Sequence, residues 1–391
     1  MKTYLSERAL MINPSITLTI SAKAKALKTE GIDILNFSAG EPDFDTPDII
    51  KEAAITAINE GFTKYTAAGG IPELKSAIIT KYQSELNVVY KPTQVLVSNG
   101  GKHALHSILQ AIIDPGDEVV IPGPYWVSYP DMVKLSGGLP VILNTRLEKG
   151  FKFSAESLKA SITEKTKLLI LNSPSNPTGA VYSKEELTKI AGVVHDTGIM
   201  VISDDVYEKF VFDGLRFANL LMVEPKLNDK VVIINSASKT YSMPGWRIGF
   251  AVGPEPVIKA ATRIQGQATS CAGSISQKAL TFALQIDPQI ITQFKQSFER
   301  RRNLMFEGLV KIRGIRPFKP SGAFYLFVDV SRLFEKLDGV ADSVSFCDYL
   351  LETQRIACIP GKAFGEDHCV RFSFVTDEAS IREGVSRLSQ I

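Results

Sequence analysis

The sequence predicts an α/β protein with a mostly parallel central sheet, helices on both of its faces, and a smaller α+β domain after it. Three observations carry this reading. From about residue 46 to 290, short apolar runs alternate with amphipathic helical stretches. Those runs are continuous in Val, Ile and Leu, as in strands buried on both faces. After residue 290 the texture changes to one long charged helix and a few isolated strands. A length of 391 residues fits more than one domain. The expected units are 1–45, an N-terminal arm that is part of the small domain, 46–290, the large domain, and 291–391, the small C-terminal domain.

The elements follow in order. Thr46 can cap a helix with Pro47 in its first turn. Ile50, Ala54 and Ile58 would line its inner face, and Gly61 would end it. Gln94–Val97 is a strand running into Asn99-Gly100-Gly101-Lys102, with a helix from about His103 to Ile113. Asp114–Asp117 is a turn before the strand Glu118–Ile121. Leu168–Leu171 is another strand. Ser183 and Glu186 have capping-box spacing and open a helix to about Asp196. Ile199–Ile202, Val231–Ile234 and Ile248–Val252 complete the set. Beyond it lie a helix over 291–312, strands at Ala323–Val330, Ile356–Ile359 and Cys369–Phe374, and a helix near 342–353. The first 40 residues have no obvious place in the large sheet. They are expected to join the small domain or to reach a partner chain.

Composition narrows the function. Lys plus Arg number 44 against 42 Asp plus Glu, a net charge of +2. So even a balance gives no electrostatic case for nucleic acid or an anionic membrane surface. The four cysteines form no C-x-x-C pair, and His368 beside Cys369 is a poor chelating geometry, so no metal is expected. Scattered thiols suit a reducing compartment, and no apolar run approaches the ~20 residues of a membrane helix. The expectation is a cytoplasmic protein.

In open α/β sheets, ligands bind beyond the carboxyl ends of the strands. Four strand ends here lead into reactive residues: Gly100-Gly101-Lys102; Asn172 to Gly179; Asp204-Asp205-Val206-Tyr207; and Ser236-Ala237-Ser238-Lys239, with Arg247 soon after. Glycine-exposed N–H groups at a helix start, a hydroxyl and an arginine suit a phosphate. A buried lysine suits imine formation with an aldehyde. A carboxylate facing a heteroaromatic nitrogen keeps it protonated, and a phenol and an amide can share an exocyclic oxygen. Together these describe pyridoxal 5′-phosphate. Adjacent Asp204 and Asp205 are not distinguished by composition. Arg371, among Val370, Phe372 and Phe374, needs a partner, which a structural carboxylate would supply as well as a substrate.

The runs AGEPDFDTP (39–47), KYT (64–66), PYWVSY (124–129), NSPSNPTGA (172–180), SDDVYE (203–208), SASKTYSMPGWRIG (236–249), PSGAFY (320–325) and VRFSF (370–374) resemble the class I, fold-type I aminotransferases, in order along the chain. The detail is most similar to prokaryotic-type aspartate aminotransferases, a subgroup that includes aspartate/prephenate enzymes. The resemblance implies that Lys239 bonds the cofactor aldehyde and then shuttles a proton. It implies Asp204 at the pyridine nitrogen, with Asn176 and Tyr207 at the phenolic oxygen. Trp126 would stack on the ring, with Val206 opposite. Ser236, Arg247 and the Gly100, Gly101 and Lys102 backbone would hold the phosphate. Tyr65 would reach the neighbouring subunit's phosphate, making a homodimer with shared sites. Arg371, helped by Gly40, would take the substrate α-carboxylate, and Trp126 and Asn176 would also touch substrate.

The resemblance further implies L-aspartate and 2-oxoglutarate as substrates, giving oxaloacetate and L-glutamate, with conversion of prephenate to arogenate as an added activity. Residues 265–276 contain no arginine for a distal carboxylate. In the subgroup that role falls to the lysine of the GGK turn, Lys102 here, with hydroxyls matched by Ser15 and Thr17. An aromatic or alanine-type aminotransferase and a C–S lyase of the same fold are the alternatives. A nicotinamide dehydrogenase is disfavoured because no G-x-G-x-x-G follows a strand.

Overall fold

The structure, a computed structural model, describes residues 4–12, 14 and 16–391. Its first strand is β1 (Leu35–Asn36), followed by β2 (Val95–Ser98), β3 (Glu118–Gly123), β4 (Leu139–Asn144), β5 (Thr166–Asn172), β6 (Met200–Asp204), β7 (Val231–Ser236) and β8 (Gly249–Val252). Strands β2 to β8 form one seven-stranded sheet in the order β2-β8-β7-β6-β5-β3-β4. From β7 to β4 every pairing is parallel, whereas β8 runs antiparallel to both its neighbours.

Successive residues of these strands feed opposite cores. Val97, Val120, Leu169, Val201 and Ile233 enter one, and Leu96, Ile121, Ile170, Ile202 and Val232 the other. Both faces are covered, so the runs carry no polar alternation. Strand β4 is missing from the sequence reading. It is the sheet edge, only half-buried along most of its length. Gly137, Gly138 and Pro140 around its start carry the signature of a turn.

The first helix of this region spans Asp48–Asn59. Ile50 and Ala54 are buried as expected, but Ile58 is exposed and Ala57 is buried in its stead. Thr46 does not cap this helix. Its hydroxyl donates to the Ser242 carbonyl at 2.7 Å, a tertiary contact that local spacing cannot show. The capping box before the Lys184–Thr197 helix is as expected: Ser183 Oγ accepts from the Glu186 N–H at 3.2 Å, and the Glu186 carboxylate accepts from the Ser183 N–H at 2.7 Å.

The charged helix spans Pro288–Leu309. Beyond it come β9 (Arg316–Pro317), β10 (Tyr325–Asp329), β11 (Ile356–Ala357), β12 (Ile359–Pro360) and β13 (Cys369–Ser373). An antiparallel sheet has the order β12-β13-β10-β9. The helix expected near 342–353 is Ser343–Tyr349 continued by a π turn over Leu350–Gln354. The N-terminal segment joins this part of the molecule. β1 pairs in parallel with β11, and Phe37 enters the same core as the C-terminal strands. That core continues into the segment after β6, where Tyr207 and Phe210 meet Phe324 and Phe298 edge-on. Among the described residues no helix is long and apolar enough to cross a membrane, and no group of three or more His, Cys, Asp or Glu is placed to hold a metal.

The loop after β5 locks onto the approach to β10. The Gly179 carbonyl accepts from the Ser321 and Gly322 N–H groups at 3.0 and 2.9 Å. Gly179 has φ +70°, and a Cβ there would lie 2.3 Å from the Pro320 Cβ. Gly179→Ala should therefore destabilise the protein more than Ser183→Ala, whose lost cap should cost about 1 kcal/mol. Urea unfolding of the two variants checks the order.

Candidate active site

The sheet ladder brings the reactive residues to one edge. Asn172 at the end of β5 lies opposite Asp204 at the end of β6, and Ser236 at the end of β7 lies opposite Gly249 at the start of β8. Because β8 is reversed, Arg247 just before it arrives at the carboxyl ends of its neighbours. Ser98 of β2 also faces Gly249, so the turn Asn99–Lys102 reaches the same edge. A cavity of about 370 Å³ opens there.

Lys239 projects into this cavity from the short helix Ala237–Thr240. Its amine donates to the Gly40 carbonyl. Burial pushes the amine down to about 8; Arg371 and Arg247 push the same way against Glu41 and Asp204. Near neutral pH a usable fraction is therefore the free base, the nucleophilic form.

The two adjacent aspartates separate. Asp204 lines the cavity at 6% exposure. Its carboxylate accepts from the Tyr129 hydroxyl at 2.6 Å and from the Val206 N–H at 3.3 Å. Asp205 turns into the protein, accepting from Ser203 Oγ at 2.6 Å and Asn219 Nδ2 at 2.9 Å. Burial raises the pKa of both; for Asp204 the Tyr129 and Val206 donors and Lys239 oppose it. Among the described residues no cation forms an ion pair with Asp204.

Arg371, on β13, is 4% exposed and lies above the Tyr325 ring, 4.2 Å from its centroid. Its guanidinium donates to Asn176 Oδ1 at 2.9 Å and to the Ser38 carbonyl at 3.1 Å. Its Nε is buried without a partner. Among the described residues no carboxylate pairs with it. Tyr207 shares a 2.9 Å hydrogen bond with the Tyr325 hydroxyl, and burial holds its pKa well above 10.

At the other end lie Gly101, Lys102, Ser236 and Arg247. Gly101 opens the helix Gly101–Ile112, whose first N–H groups have no acceptor within the helix. Gly100 is not in the cavity wall. It has φ +93°, and a Cβ there would lie 2.5 Å from Arg247 Nη2, so its contribution is to let the guanidinium pack on the helix start. The Lys102 amine sits 4.8 Å from the Trp126 ring centroid, and burial, then Arg247, lowers its pKa.

Gly40, Trp126, Val206 and Thr17 also line the cavity. Ser15 lies outside the described residues. Tyr65 is not in this chain's cavity and is 91% exposed. The sequence reading placed Asn172, Ser238, Tyr129, Val127 and Tyr325 in its runs without giving them a role, and it missed Ser38 and Phe364. One signal was present: Tyr129 falls three residues after Trp126, and the two rings meet edge-on at 5.3 Å.

The donor set fits pyridoxal 5′-phosphate. A buried carboxylate without a cation suits a protonated ring nitrogen, and an amine near pKa 8 suits an aldehyde. A helix start with a hydroxyl and a guanidinium suits a phosphate.

Residues 32–388 match the model of the family "Aminotransferase class I and II". The chain is 43% identical to an aspartate aminotransferase of Bacillus subtilis, over 99% of this chain and 98% of that protein. It is 44% identical to an aspartate/prephenate aminotransferase of Nitrosomonas europaea, over 99% of each. The solved aspartate aminotransferase of Thermus thermophilus with maleate superposes with a TM-score of 0.93 at 38% identity, covering all of both chains. With 43–44% identity sustained over nearly the whole length, the chain belongs to the class I and II aminotransferases, enzymes that work with pyridoxal 5′-phosphate.

Proposed function

We propose that the protein transfers the amino group of L-aspartate to 2-oxoglutarate, giving oxaloacetate and L-glutamate, and that prephenate is a further acceptor, giving arogenate. The observation that carries this reading is Arg371: a buried guanidinium with an orphaned Nε and, among the described residues, no carboxylate of its own. A second cation, Lys102, lines the same cavity. An α-carboxylate and a distal carboxylate would satisfy both. The names of the relatives and the maleate in the Thermus structure point the same way.

Each side chain then has a task. When bound, pyridoxal 5′-phosphate supplies the aldehyde that takes up the amino group and a cationic ring that withdraws electrons from the α-carbon. Lys239 would hold the cofactor through its aldehyde carbon, and as a free amine it would take a proton from the substrate α-carbon as general base and return it as acid. Asp204 keeps the ring nitrogen protonated. Asn176 accepts from Arg371 through Oδ1, which frees its Nδ2 to donate to the phenolic oxygen beside Tyr207. Trp126 and Val206, which line the cavity, would hold the ring, and Ser236, Arg247 and the Gly101–Lys102 N–H groups would hold the phosphate. Arg371, with the Gly40 backbone, sets the substrate's orientation.

We also propose a homodimer in the cytoplasm, with the working units 1–45, 46–290 and 291–391. The Asp48–Asn59 helix exposes Ile49, Ile55 and Ile58, and the nearby Tyr65 is free to reach a partner's phosphate corner. Free cysteines suit a reducing compartment.

Three outcomes are expected. L-Aspartate alone should abolish the visible absorbance of the bound cofactor's aldehyde form, and 2-oxoglutarate or prephenate should restore it; no change with aspartate sinks the proposal. Lys102→Ala should lower kcat/KM for aspartate about 10- to 100-fold while sparing alanine and phenylalanine, since a hydrogen-bonded charge pair is lost only for the dicarboxylate. Equal losses would remove Lys102 from this role. The cofactor-free protein should capture pyridoxal 5′-phosphate at a rate that climbs with pH up to about 8 and levels off above, because Lys239 reacts as the free base. A flat stopped-flow profile across that range would contradict the lowered amine.

A further inference from the structure

Asp204 must stay ionised, and aimed, in a place that disfavours charge. It is 6% exposed, and burial works against its anion. Its only charge-assisted side-chain partner among the described residues is Tyr129, whose hydroxyl lies 2.6 Å from Oδ2. That distance is at the short, strong end for a hydroxyl on a carboxylate. Tyr129 is itself 2% exposed and belongs to the helix Ser128–Leu135. Its ring is braced edge-on against Trp126. The phenol holds its proton firmly, first through burial and then through the Asp204 charge.

The residue type matters. An arginine or lysine at this position would neutralise Asp204 and compete with a cationic ring nitrogen. A phenol donates one hydrogen bond and leaves the negative charge in place. The Val206 N–H takes the other oxygen, Oδ1, at 3.3 Å, so the carboxylate plane is held from two sides.

We propose that Tyr129 is a positioning residue for the cofactor: its hydroxyl orients Asp204 and keeps it anionic, and so sets the strength of the Asp204 contact with the ring nitrogen. This rests on the reading that Asp204 faces that nitrogen. Nothing in the known reaction requires a tyrosine here; the assignment comes from the 2.6 Å contact and its burial.

The test is cofactor binding rather than turnover. Cofactor-free wild type, Tyr129→Phe, Asp204→Asn and the double variant are titrated with pyridoxal 5′-phosphate by fluorescence, and thermal unfolding checks that each is folded. Tyr129→Phe keeps the ring packing and should weaken binding about tenfold, the size of one charge-assisted hydrogen bond. In the Asp204→Asn background the same change should do almost nothing. The 1-deaza analogue, with carbon in place of the ring nitrogen, should bind wild type and Tyr129→Phe alike. Tyr129→His, which restores a ring N–H donor, should recover part of the loss and stands in if the phenylalanine variant does not fold. Unchanged affinity in Tyr129→Phe, equal weakening for both cofactors, or equal loss in the histidine variant would overturn the proposal. If Asp204→Asn itself binds as wild type does, the Asp204 reading fails instead, which is a separate result.

Discussion

The site hangs on the register of one sheet. Asn172 opposite Asp204 and Ser236 opposite Gly249 place an amide, a carboxylate and a hydroxyl at one edge. The reversal of β8 adds Arg247 to them. Backbone hydrogen bonds, not the side chains themselves, decide these neighbours. A one-residue slip would turn each of these groups to the opposite face. The apolar cores on both faces forbid that slip, because it would exchange their residues wholesale. The packing that folds the sheet is therefore also what aims the chemistry.

Burial then prepares the groups for work. Lys239, Asp204 and Arg371 all lose water, and each is pushed toward its neutral form. None forms an ion pair that would cancel it among the described residues. What holds them instead is a network of neutral groups: Tyr129 and the Val206 N–H on Asp204, Asn176 and the Ser38 carbonyl on Arg371, the Gly40 carbonyl on Lys239. Neutral partners orient a charge without spending it. Unspent charges around a polar cavity are what an ionic ligand can satisfy, and this pattern separates a binding site from a structural ion cluster. The contrast is nearby: Glu208, next to Tyr207, is buried but paired with Lys81 at 2.8 Å.

The N-terminal segment is part of the site rather than an appendage. Ser38 and Gly40 supply carbonyls to Arg371 and Lys239, and Thr17 lines the cavity. The segment is held by the parallel pairing of β1 with β11 and by Phe37 in the C-terminal core. Residues from both ends of the chain thus close over the edge of the central sheet.

By itself the sequence determined the fold class, the positions of the doubly buried strands, the cofactor chemistry and most of the candidate residues. It could do so because doubly buried strands read as continuous apolar runs and because reactive residues cluster just after them. The capping box at Ser183 was legible for the same reason, being a purely local hydrogen-bond pattern. Only the tertiary structure decided which strand is reversed, that Asp205 turns inward onto Ser203 and Asn219 while Asp204, already favoured by the family resemblance, lines the cavity, and that Arg371 has no carboxylate of its own among the described residues. It also decided that Thr46 serves Ser242 instead of its helix, that Gly100 supports Arg247 from beneath, and that Tyr129 stands behind Asp204. Each of these joins residues far apart in the chain or turns on the direction of one side chain. Periodicity and motif spacing record what a residue neighbours along the chain, and these contacts are set by packing in space.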